Sequence, residues 1–131
     1  MDSVILFFGT ASHAQVEAAA SAVGFVNGSI THGSESVYLQ CYSAEDQLAE
    51  LDRNEVEKLS SALGGKPTSA YQVSARHGPA ACLALNVVGQ LLSKLEPAVL
   101  NDDFGNLWSP TEVSSLLGNN PEGGIYALRN A

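Results

Sequence analysis

An unbroken apolar run, Val4-Ile5-Leu6-Phe7-Phe8, lies near the start of the chain and is rich in β-branched and aromatic residues. It predicts a strand from Ser3 to Gly9, buried on both faces and therefore central in a sheet. Thr10-Ala11-Ser12 supplies N-cap oxygens for an Ala-rich helix from about His13 to Val23, which Gly24 stops. Phe25 to Thr31 and Ser36 to Tyr42 are strand-like, and His32-Gly33-Ser34-Glu35 between them has the turn chemistry of a hairpin. Ser43, with Asp46 three residues on, is the expected N-cap of one helix running to about Leu63 and ending at Gly64-Gly65. Its Leu48, Leu51, Leu59 and Leu63 make a stripe facing the core, which leaves Glu50 and Glu57 facing outward. After Lys66-Pro67, the alternation around Tyr71 and Val73 predicts a fourth strand from Thr68 to Ala75.

These elements spell β-α-β-β-α-β and predict an α+β fold of the ferredoxin-like, split-βαβ kind: an antiparallel sheet with both helices on one face. A third helix follows from Gly78-Pro79 through Leu95, apolar on most faces and so expected to be well buried. Ala98-Val99-Leu100 and Asn106-Leu107-Trp108 flank a polar, Gly-containing segment and predict a small hairpin. Ser109-Pro110-Thr111-Glu112 then opens a short helix to about Leu117, with Ser109 as N-cap and Glu112 as its capping-box partner. In the Asn-, Gly- and Pro-rich tail, Ile125-Tyr126-Ala127-Leu128 is a short edge-strand candidate. No repeat or linker interrupts the 131 residues, which is the length of one domain with one core.

Composition narrows the function classes. An apolar fraction of 45% with 15% charged residues belongs to a globular chain. No run approaches the roughly 18 to 20 apolar residues of a membrane span, and Met1-Asp2 with so short an apolar run does not make a secretory signal, so the cytosol is the expected compartment. Cys41 and Cys82 show no CxxC spacing and are expected as buried free thiols. Fourteen acids against six bases give a net charge of −8, which repels nucleic acid and anionic membranes and attracts a basic protein partner.

The charge is concentrated. Glu45, Asp46, Glu50, Asp52, Glu55 and Glu57 fall within 13 residues that hold a single base, Arg53. Such a run is an ordinary solvated helix face or a docking face for a cationic surface, where steering accelerates association. A second candidate is Ser74-Ala75-Arg76-His77-Gly78, where a strand meets a helix N-terminus that receives anions beside Arg76 and His77. Its structural alternative pairs Arg76 with Asp102 or Asp103. Trp108 is either an exposed aromatic anchor or a core plug. His13, His32 and His77 lack metal-ligand spacing, and Asp102-Asp103 lacks the calcium-loop pattern, so neither a metal nor a cofactor is expected. Asp103-Phe104-Gly105 copies a kinase tripeptide by chance, because the Gly-rich loop and the other kinase motifs are missing. No ordered nucleophile motif is present; Ser74 near His77 is the single local pair, and no catalytic residue is assigned.

The stretch from Ser74-Ala75-Arg76-His77-Gly78 to Val99-Leu100-Asn101-Asp102-Asp103-Phe104-Gly105-Asn106-Leu107-Trp108-Ser109 covers roughly a third of the chain. It resembles bacterial immunity proteins of polymorphic toxin systems, in which a helix leads to an Asp- and Gly-containing hairpin ending in Leu-Trp-Ser. The resemblance implies an acidic cytosolic inhibitor whose partner is a cognate toxin. The competing expectations are a regulatory domain holding an anionic ligand at Arg76 and His77, homodimeric through its sheet, and a minor enzyme using Ser74 and His77.

Overall fold

The apolar run near the start forms strand β1 (Asp2–Phe8), and every other layer is built on it. The computed structural model describes residues 2–76, 78–102 and 106–119. In chain order the further elements are α1 (His13–Val23), β2 (Ser29–His32), β3 (Glu35–Tyr42), α2 (Ala44–Ala49), α3 (Arg53–Leu63), β4 (Ser69–Ala75), α4 (Pro79–Lys94), β5 (Ala98–Asn101), β6 (Leu107–Trp108) and α5 (Pro110–Asn119). Among the described residues the strands form one sheet in the order β2-β3-β4-β1-β5-β6, with every pairing antiparallel.

Successive β1 side chains enter different layers, as the two-residue period of a strand requires. Val4, Leu6 and Phe8 join Tyr71, Val73 and Leu100 beneath α1, α4 and α5, where Val16, Leu85, Leu92 and Val113 are buried. Phe7 points the other way and packs with Ala70 and Val99 against Leu59 and Leu63 of α3. Ala44, Leu48 and Leu51 close that second layer at its edge. Helix α4 is apolar on most of its circumference because it fills the middle of the larger layer, with α1 and α5 beside it.

Three expectations need correction. First, the strand order does not confirm the ferredoxin-like arrangement. A split βαβ unit makes β1 and β2 parallel, but here β4 and β3 lie between them, and three successive antiparallel pairings leave β2 antiparallel to β1. Second, the helices cover both faces, because Phe7, Ala70 and Val99 present an apolar surface that α2 and α3 must bury. Third, the run from Phe25 to Thr31 is not one strand. Asn27-Gly28 turns it, with φ of 50° and 82°, and Val26 and Ser29 exchange backbone hydrogen bonds across the turn. Positive φ at both central residues is what a tight two-residue hairpin turn of the Asn-Gly type requires. Phe25 is buried ahead of it.

Other elements stand as expected. His32 and Glu35 pair across the Gly33-Ser34 turn. Ser109 and Glu112 exchange cap hydrogen bonds at 3.0 and 3.1 Å at the start of α5. The tail strand expected at Ile125 to Leu128 lies outside the described residues. No helix among the described residues is long and apolar enough to cross a membrane.

The two-sided arrangement makes α3 a structural layer. Leu59→Ala empties a fully buried site in it and is expected to cost about 2–5 kcal/mol. Urea unfolding measures this; a loss below about 0.5 kcal/mol, the range of surface substitutions, would show that the layer is not packed.

Candidate functional site

The acidic segment is two helices, not one. Helix α2 ends at Ala49 with Glu50 as its C-cap, and Asp52 takes an extended conformation (φ −76°, ψ 172°) that cannot continue a helix. Instead it caps the next one: Asp52 Oδ1 accepts from the Glu55 amide at 2.8 Å, and Glu55 Oε1 accepts from the Asp52 amide at 3.2 Å. This capping box satisfies two backbone donors that a helix start otherwise leaves without partners. Asp52 and Glu55 thus have structural duties beside any binding role. Ser43 caps α2 through the Asp46 amide at 3.3 Å, with Glu45 and Asp46 in its first turn, where negative charge is favoured. Glu57 pairs with Arg53 at 3.5 Å, an exposed contact that contributes little.

The bend between α2 and α3 turns three neighbouring acids toward one groove. Glu50, Asp52 and Glu55 line a groove of about 550 Å³ with Gln47, Asn54 and Lys58, floored by Ile5 and Asn101 of the sheet. Glu45, Asp46 and Glu57 lie outside it on the same exposed helix pair.

The second predicted cluster falls only partly within the described residues. Arg76 is exposed at the end of β4, and His77 and Asp103 lie outside the described residues, as does the Ser74–His77 pair. Asp102 is buried and organises the β5–β6 hairpin: its carboxylate accepts from the Asn106 amide, Asn106 Nδ2 and the Trp108 indole Nε1, at 3.0 to 3.1 Å. That last bond holds Trp108 half-buried against the larger core, so the indole is not an exposed anchor. Gly78 precedes α4 with no side-chain cap, and Pro79 occupies its first turn.

A third cluster escaped the sequence. His13 Nδ1 is 2.8 Å from the Tyr71 hydroxyl and 3.5 Å from Cys41 Sγ. Cys41, expected to be buried, is exposed; Cys82 is partly buried on α4, and neither is in a disulfide. The cause is register: Cys41 on β3 sits directly opposite Tyr71 on β4, at the margin of α1. Thr68 Oγ1 and Ser69 Oγ both donate to the Ala11 carbonyl, at 2.8 and 3.2 Å, which fixes the loop that delivers His13. Ser12 and Gln15 then cap α1 reciprocally, with the imidazole edge-on to the Tyr71 ring at a centroid distance of 5.7 Å. The sequence signal was too weak to find this site, since its three residues share no local motif and meet only through β3–β4 pairing.

Family models, curated proteins and solved structures yield no match to this chain. The chemistry of the site therefore rests on its geometry. Among the described residues no group of three His, Cys, Asp or Glu side chains is placed to hold a metal ion.

Burial first, then the neighbouring Cys41 and Glu17, push the Tyr71 phenol well above its ordinary value of 10.0. The folded state therefore keeps its proton where the unfolded chain releases it. The resulting stability is complete below about pH 10 and is lost as pH rises through the raised value. Denaturation midpoints between about pH 9 and pH 11 are expected to fall more steeply for the wild type than for Tyr71→Phe. Equal slopes would contradict a phenol held neutral by the fold.

Proposed function

We propose that the protein is a binding module that receives a cationic protein surface on its α2–α3 face. The observation that carries this reading is the convergence of Glu50, Asp52 and Glu55 on one outward-opening groove, with Lys58 the lone base lining it. Three carboxylates around such a groove generate a local negative potential, and the net charge of −8 adds a long-range field of the same sign. A Lys or Arg side chain entering the groove finds acceptors in a shell already ordered by the capping box. Of the acids, Glu50 is the one free of capping duty inside the groove, so it is the residue on which specificity depends most.

Inhibition of a bacterial toxin in the manner of immunity proteins is the most concrete form of this function. It is supported by the resemblance of residues 74–109 and by the acidity of the chain. Immunity-type inhibition needs only steric and electrostatic complementarity, and no reacting group in the groove.

Binding of a Lys- and Arg-rich peptide, measured at low and high salt, tests the reading. Glu50→Lys is expected to weaken low-salt binding several-fold, mainly through the association rate, and to leave the unfolding midpoint nearly unchanged. Glu96→Lys, the same kind of change at an exposed site after α4, serves as the control. Equal weakening by both would show a diffuse charge effect and contradict a localised face.

A further inference from the structure

Cys41 and Tyr71 of the His13–Tyr71–Cys41 cluster line a cavity of about 360 Å³ on the α1 face of the sheet, and His13 stands behind the thiol, in contact with both. We propose that Cys41 is a nucleophilic thiol, served by His13 as base, that accepts a short uncharged acyl group from a thioester donor seated in this cavity. The inference is independent of the acidic groove, which lies across the sheet.

Four observations converge. Cys41 is an exposed residue at the cavity wall while Tyr71 beside it is buried, so the thiol stands on the surface against a fixed support. The Sγ–Nδ1 separation of 3.5 Å is a thiol–imidazole hydrogen bond, the contact through which a base takes a thiol proton. The Tyr71 hydroxyl lies 2.8 Å from the same Nδ1 and, able to donate or accept, holds the imidazole beside the thiol in either protonation state. The cavity has a size suited to a small ligand, with Ala20, Phe25 and Leu39 as its apolar lining, Ser21 and Asn27 as polar groups that can orient a carbonyl, and Cys41 at its wall.

The chemistry balances without an external oxidant or reductant. His13 Nδ1 takes the Cys41 proton, and the thiolate attacks the thioester carbonyl. A new carbon–sulfur bond forms, the donor's carbon–sulfur bond breaks, and the departing thiolate recovers the proton from His13. A thiolate leaves readily, so the pair has no need of the stronger acid that an amine leaving group would demand. Glu17 at the cavity disfavours an anionic acyl chain.

Butyryl-N-acetylcysteamine is the probe, and the full-length protein is followed by intact-mass spectrometry with peptide mapping. Acylation is expected at Cys41 and much more slowly at Cys82. Cys41→Ser leaves only the slow reaction at Cys82. His13 is exposed, so His13→Gln and His13→Asn leave the core untouched; circular dichroism checks this. Each is expected to slow acylation about tenfold at neutral pH, because an ordinary thiol is only a few per cent thiolate there. Each also moves the rate's pH profile toward that of a simple thiol, a change that a purely structural role would not produce. Tyr71→Phe, altering a positioning residue, shifts the profile less. No acylation of Cys41, or His13 variants that react at the wild-type rate and pH dependence, would overturn the proposal.

Discussion

Burial of β1 on both faces is the constraint from which the rest of the structure follows. A strand carrying Leu6 and Phe8 toward one side and Phe7 toward the other is stable only with cover on both, and the chain supplies α1, α4 and α5 for one face and α2 and α3 for the other. Hydrogen bonding adds a second demand. β4 pairs along the whole of β1 and β5 along its second half, Ile5 to Phe8, so that half has ladders on both edges, which exposed edge strands lack. The candidate sites are by-products of this arrangement: one where α2 bends into α3 over the second layer, the other where the start of α1 meets β3 and β4.

The placement of the two sites on opposite faces follows from the same alternation. Cys41, Tyr71, Leu6 and Leu100 lie in one cross-strand row, continued by Trp108, and point toward α1 and α4. Ile5 and Asn101, one register step away, floor the acidic groove. A packed sheet between them means that each site can be altered without touching the other's side chains.

Local chemistry was legible where it depended on neighbours in sequence. Gly24, Gly64 and the Ser109–Glu112 cap mark helix ends within a residue or two of where they fall. The errors were of two kinds. Two differences have local marks in the sequence: Asn27-Gly28, which turns the chain, and Asp52-x-x-Glu55, which restarts a helix inside the acidic run. The other kind was beyond any local pattern. Strand order depends on which edges pair, so neither the insertion of β4 between β1 and β3 nor the meeting of His13 with Cys41, 28 residues away, has a signature in composition or spacing. The acidic face was visible as charge, but the groove that gathers three of its six acids needed the bend between α2 and α3.

Native-state hydrogen exchange tests the central constraint most directly. If β1 holds both layers together, the amides of Leu6 and Phe7 exchange only through global unfolding, while those of α2 exchange through a smaller, local opening. Exchange of the β1 amides at the same low free energy as α2 would contradict the account.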